Sequence, residues 1–195
     1  MSLRMLAIAG IIGMTATGSA GLWAQSRQVG AAATSETAAL RRFEEAIAKY
    51  VALREALVKE KIVGPVPNSS APELNRASDA LAAAIQRARA KAKPGDIFAA
   101  PVTTVFKQRV TDVVRSENLA PVLAGIDDEL KGSITPTIHL RFPMAAPMAT
   151  MPPSLLAALP RLPKSLEYRI IGQYLVLRDV EAALIIDFIP AVIPR

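Results

Sequence analysis

The chain has 195 residues, 51% hydrophobic and 21% charged, with 23 Lys and Arg against 17 Asp and Glu for a formal charge of +6. That length and apolar content exclude wholesale disorder and a collagen-like repeat, and leave room for one domain or two very small ones. There is no Cys, which excludes disulfides, thiol catalysis and cysteine-ligated metal.

At the N-terminus a single basic residue, Arg4, precedes the apolar stretch Met5 to Ile12, and small or polar residues (Thr15, Thr17, Gly18, Ser19, Ala20) follow. These are the three parts of a secretory signal peptide. Cleavage after Ala20 has small residues at both recognition positions, Gly18 and Ala20; cleavage after Ala24 puts Leu22 at the first of them but leaves a polar Gln25 as the new end. The later site is favoured, giving a signal over 1–24 and a mature charge of +5 once Arg4 is removed. The rival reading is an uncleaved membrane anchor, because the charge-free run approaches the roughly 20 residues that span a bilayer. No Cys for lipidation and no twin-Arg pair is present.

A small-residue linker is expected over 25–33, and a helical unit over 34–132. Leu40, Phe43, Ile47, Tyr50 and Leu57 recur at helical spacing between Ser35 and Ile62, with Glu45–Lys49 and Glu55–Lys59 as i,i+4 surface pairs. The second helix begins at Ser70, with Pro72 in its first turn and Glu73 closing a capping box, and carries the narrow stripe Leu74, Ala77, Leu81, Ile85, Ala88 before Gly95. Such an Ala-rich face suits an antiparallel helical hairpin with the first helix. A third helix is expected from Pro101 to Glu117, and a fourth from Leu119 to about Leu130.

The chain then changes character. Ile134, Pro136, Ile138, Leu140 and Phe142 alternate with polar residues, which predicts an edge strand at the start of a 133–164 segment. Pro143 to Pro163 holds six of the fifteen prolines, so this stretch reads as an extended connector with at most a short helix around Ser154 to Ala158. Over 165–195 three strands are expected, Glu167–Ile171, Tyr174–Arg178 and Leu184–Ile189, joined by a Gly172-Gln173 hairpin turn and a turn through Asp179 to Ala182. The fold class is therefore α+β, a helical unit carrying a C-terminal three-stranded antiparallel β-meander.

Two blocks carry a resemblance. One is Leu81 to Phe106, an Ala-rich helix ending in Arg and Lys, then Gly95-Asp96-Ile97-Phe98 and Ala100-Pro101-Val102. The other is the tail, with Met151-Pro152-Pro153-Ser154-Leu155-Leu156, Leu166-Glu167-Tyr168-Arg169, Leu175-Val176-Leu177-Arg178-Asp179-Val180-Glu181-Ala182 and Leu184-Ile185-Ile186-Asp187-Phe188-Ile189. Together they resemble a family of uncharacterised exported bacterial proteins. The resemblance implies export and the helix-then-strand layout, and it implies no activity, cofactor or catalytic residue.

Candidate chemistry is sparse. His139 is the one His, so no histidine pair for zinc or for a nucleophile exists, and it reads as a solvated residue on the polar side of a strand. Met144, Met148 and Met151 offer soft thioethers that suit Cu(I), although the surrounding prolines and the use of Met as apolar filler favour packing. Asp127, Asp128 and Glu129 are adjacent, so on a helix they point in different directions and form no chelating face. The basic run Arg87, Arg89, Lys91, Lys93, with Arg76, Lys107, Arg109 and Arg115, reads as a solvated basic surface, the alternative being contact with an anionic membrane, a cell-wall polymer or an acidic partner. Nucleic acid is disfavoured, because no aromatic-interleaved strip accompanies these charges. Arg169, Arg178, Asp179, Glu181 and Asp187 read as cross-strand pairs and turn residues of the meander.

No catalytic, cofactor-binding or metal site is assigned. The sequence points to an exported, periplasmic or secreted protein without enzymatic activity, acting as a cell-envelope structural or interaction module with an unidentified partner. The alternatives are a small Cu(I) or ligand binder using the Met-rich loop, and an enzyme with an unrecognised carboxylate site.

Overall fold

The computed structural model describes residues 20–60, 70–123, 135–141 and 151–193, with side chains from residue 33 onward. Contacts divide the chain into a unit ending at Ser35 and a second beginning at Glu36. Apart from the first part of the leading helix, the elements below belong to the second unit.

Helix α1 runs over Ala20–Lys59 and so begins well before Ser35. The residues expected to form a linker, 25–33, are helical. The run Ala31 to Ala33 is strongly helix-forming, and the one glycine there, Gly30, costs only about 1 kcal/mol relative to Ala. Farther along, Phe43, Ile47 and Tyr50 fall on one face and are buried. Glu45 pairs with Arg41 at 3.8 Å rather than with Lys49. Helix α2 (Ala71–Ala88) starts as the capping pattern predicts: the Glu73 carboxylate accepts from the Ser70 backbone N–H at 2.7 Å and from its hydroxyl at 2.7 Å. It stops at Ala88, so Arg89, Lys91 and Lys93 lie beyond the helix instead of on its last turn.

Helix α3 (Ala100–Ser116) has Pro101 in its first turn and is followed by Asn118 in the left-handed region, φ 50°. A new helical turn covers 120–123, and the remainder of the expected fourth helix lies outside the described residues. The expected edge strand is not formed over 135–141. There the chain makes a turn with His139 at φ 69°, which breaks the alternation. What remains of the strand is a short bridge onto the third strand: His139 N–H donates to the Ile185 carbonyl (2.9 Å), and Ile185 N–H donates to the Leu140 carbonyl (3.0 Å). Helix α4 (Pro153–Ala158) is the short helix allowed inside the Pro-rich connector.

The meander forms as expected. Strands β1 (Leu166–Ile171), β2 (Tyr174–Asp179) and β3 (Leu184–Ile189) make an antiparallel sheet in the order β1-β2-β3. Ile171 faces Tyr174 across the two-residue turn, and Gly172 takes φ 55°, a value that glycine adopts without steric cost. A register shift between Leu177 and Arg178 marks a bulge against β3.

The sheet is covered on both faces. Tyr168, Ile170, Leu175, Leu177, Leu184 and Ile186 join the main core with the helices, while Ile171, Val176 and Ile185 form a second cluster with Leu140, Tyr174 and Phe188. At the centre of the main core, Phe43 of α1, Phe98 and Phe106 of α3 form an aromatic triad with centroid separations of 5.0 to 5.7 Å, and Phe106 meets Tyr168 of β1 at 6.2 Å. The buried face of α2 (Ala77, Leu81, Ala82, Ile85) faces core as well, yet extensive helix-to-helix backbone contact is made between α3 and α4 and not between α1 and α2. Among the described residues no helix is long and apolar enough to cross a membrane.

Phe106 is 0% exposed and touches three other rings, so Phe106→Ala removes packing on three sides. The substitution is expected to destabilise the protein by about 3 to 5 kcal/mol, read as a lower urea midpoint at unchanged slope.

Candidate functional site

Three charged clusters involve the tail residues, and two of them reach out of the sheet. Asp179, at the end of β2 and 0% exposed, accepts from the Tyr50 hydroxyl (2.9 Å) and from Arg54 Nε (2.9 Å), both on α1. Its other oxygen accepts from Ala182 N–H (2.9 Å) and closes the turn into β3. Arg54 also pairs with Glu181 in that turn. Burial, followed by the neighbouring Asp179, pushes the Tyr50 hydroxyl far above the ordinary tyrosine range, so it stays a donor.

Asp187 is the second anchor. In the middle of β3 and 0% exposed, it accepts N–H bonds from Gly95 (2.9 Å), Ile97 (2.8 Å) and Phe98 (2.8 Å), and from its own neighbour Phe188 (2.8 Å). Both tail aspartates thus hold helical-layer segments to the sheet; Asp179 keeps the expected turn role through Ala182 N–H as well, whereas Asp187 makes no cross-strand side-chain pair among the described residues. A polar residue breaking a buried apolar strand was the sequence signal for this. The third cluster does stay within the sheet: Glu167 of β1 pairs with Arg178 of β2 and with Arg169. Burial raises the Glu167 carboxyl, but the hydrogen bonds from Arg169 and Arg178 outweigh it and hold the group below the ordinary value of 4.5.

His139 is half-buried rather than solvated. Its carbonyl accepts from Gln86 Nε2 (3.2 Å), and its ring Nε2 has no hydrogen-bond partner among the described residues. Burial, with a smaller contribution from Arg89, lowers its pKa from 6.5 and favours the neutral ring.

The expected basic surface separates into two kinds of residue. Arg109 is structural: it donates to Glu36 on α1 (2.7 and 3.0 Å) and to the Ala158 carbonyl at the end of α4 (3.0 Å). Arg141 similarly binds Asp79 (2.7 Å) and Ser78 on α2. Arg42, Lys49, Arg87, Arg89 and Lys91, by contrast, have no carboxylate within ion-pair distance among the described residues. They border two adjoining open clefts of about 440 and 420 Å³, one between α1 and the 89–97 segment and the other along 87–96, which share Arg89 and Asp96. Of these, Arg42 carried no sequence signal and Lys49 reads from the sequence only as the surface partner of Glu45, because both belong to a different helix from the basic run.

Among the described residues no group of three metal-ligating side chains of the His, Cys, Asp and Glu kind comes together. Met151 is 3% exposed and packs in the main core, so its sulfur does not face an open loop. Met144, Met148, Asp127, Asp128 and Glu129 lie outside the described residues.

Asp187→Ala leaves the N–H groups of Gly95, Ile97 and Phe98 without acceptors and is expected to cost about 3 to 5 kcal/mol in chemical unfolding. Gly95→Ala is expected to cost about 1 to 3 kcal/mol. Gly95 sits at φ 89°, where an L side chain is strained even though the added Cβ would meet nothing closer than the Phe98 carbonyl at 3.6 Å.

Two groups also predict the response to acid. His139 binds its proton less readily when folded, so stability falls as pH drops through the ordinary value of 6.5. The folded pKa of Glu167 is likewise depressed; its contribution is present above the ordinary value of 4.5 and is lost as pH falls below it. In urea titrations at stepped pH, His139→Asn, which tolerates the left-handed backbone, should flatten the upper step. Glu167→Gln should flatten the lower one. An unchanged pH profile in either variant refutes that assignment.

The chain matches no protein-family model, no curated protein and no solved structure, so its function has to be read from this geometry.

Proposed function

We propose that the chain is exported and serves, without enzymatic activity, as a structural or interaction module of the cell envelope. What carries the reading is the destination of the buried charged groups. Arg54, Arg178, Asp179 and Asp187 are the buried charged residues among those described, and each is bound to another part of the fold. A general acid or base needs a lone pair or a proton facing a substrate. Both oxygens of Asp179 and both oxygens of Asp187 are already engaged by the protein's own donors. The unpaired charges sit instead on the outside, where they suit contact with an anionic partner.

Export is supported by Arg4, the apolar stretch Met5 to Ile12, and the small residues Gly18 and Ala20. Expression of the full chain in a bacterial host, with fractionation and N-terminal sequencing, tests this half of the proposal. The expected product is periplasmic or secreted and begins at Gln25 or Gly21. A cytoplasmic product that retains Met1 would refute export. The second half fails if an envelope extract yields no specific partner while a substrate screen of the purified protein yields turnover.

A further inference from the structure

The cleft between α1 and the 89–97 segment is built from chemically sorted residues. Arg42 and Lys49 are exposed on α1, seven residues and two turns apart on one face, and neither has an ion-pair partner among the described residues. Glu45, between them, is engaged by Arg41 instead. Opposite them, Arg89 is fixed in place: Nη1 donates to the Ile186 carbonyl at 3.1 Å, and the guanidinium lies over the Tyr50 ring, 5.3 Å from its centroid. A guanidinium held by a neutral carbonyl and an aromatic face keeps its charge uncompensated, and little side-chain freedom is left to lose on binding an anion.

The rest of the lining is not basic. Leu53, Ala46 and Ile97 supply apolar surface, and the carboxylates of Glu45 and Asp96 keep acceptor capacity beyond the contacts they make with Arg41 (3.8 Å) and Lys93 N–H (2.9 Å). A cleft of about 440 Å³ with this composition has the size of a small-ligand site. Three cations suit a phosphate group, two carboxylates suit hydroxyl donors, and a small apolar area suits the C–H face of a sugar ring. A bare inorganic anion would use the cations and leave the other two features without a role.

We propose that this cleft binds a phosphorylated sugar, with the phosphate held by Arg42, Lys49 and Arg89 and the ring hydroxyls received by Glu45 and Asp96. The site is separate from the buried tethers between sheet and helices, and it does not depend on the protein lacking enzymatic activity.

Titration of the full chain with a hexose 1-phosphate, followed by calorimetry, tests the assignment. Saturable binding is expected, weakened about tenfold by either Arg42→Gln or Lys49→Gln, since each removes one charge-assisted contact. Both positions are exposed, so the fold is retained, and unchanged thermal unfolding verifies this. Arg161→Gln, in a different cleft against the other side of α1, should leave binding unchanged. The unphosphorylated hexose and inorganic phosphate should each bind at least about tenfold more weakly than the hexose phosphate. The proposal is overturned by no saturable binding, by equal binding in the Arg42 and Lys49 variants, or by inorganic phosphate binding as tightly as the sugar phosphate. Tighter association with anionic-lipid vesicles than with hexose phosphate, lost in the same two variants, would also overturn it and make the cleft a membrane contact.

Discussion

Asp187 places a carboxylate in the middle of a strand whose other residues are Leu184, Ile185, Ile186, Phe188 and Ile189, at a point with no solvent access. Taking such a group out of water costs several kcal/mol, and the fold can hold it there only by supplying donors. The donors are the backbone N–H groups of residues 95, 97 and 98, which form no helix or strand of their own and would otherwise lack partners. Each side therefore satisfies a need of the other. Once the segment is drawn onto the sheet, Phe98 is delivered to Phe43 and Phe106, and α3 has to begin immediately afterwards at Ala100. The aromatic centre of the core and the start of α3 both follow from one acceptor.

Asp179 works on α1 in the same way, with side-chain donors in place of backbone ones. Tyr50 and Arg54 lie four residues apart, one helical turn, so both can reach one carboxylate only when that face of α1 is turned toward the end of β2. Apolar packing alone would tolerate small rotations or sliding of α1 over the sheet. A buried, fully bonded network does not, because any shift leaves a polar group without a partner. The two aspartates thus select one arrangement among several that hydrophobic burial would accept.

Much of this organisation was legible from periodicity. The hairpin turn at Gly172, the three strands and the cap at Ser70 are local signals, and the structure has them within a residue or two. The start of α1 was not legible, because Gly30 and the alanines after it suit a linker as well as a helix. The alternation over Ile134 to Phe142 misled for a different reason: period two records side chains, but nothing in it reports that His139 takes a left-handed backbone and turns the chain. The tethers were the least legible of all. Asp179 and Asp187 lie 125 and 90 residues from Arg54 and Ile97, and charges that close contacts at such separations resemble turn and surface residues when seen along the chain. The one visible hint was an aspartate inside an otherwise apolar strand, where sheets buried on both faces have no solvent to offer it.

The cleft shows how α1 serves two purposes through adjacent faces. Phe43, Ile47, Tyr50 and Arg54 point to the core and its network, and Arg42, Glu45, Lys49 and Leu53 lie beside them along the open cleft. Arg89 belongs to both, since it covers the ring of Tyr50, whose hydroxyl holds Asp179, while its charge faces the cleft. An anion bound there would be held by a residue that also braces the tether between α1 and the sheet. Because such a ligand would recognise only the folded arrangement, its binding free energy would add to the stability of that arrangement by mass action. Occupancy of the cleft would therefore be coupled to the position of α1 twice over, directly through Arg42 and Lys49, which α1 carries, and through Arg89, which braces Tyr50.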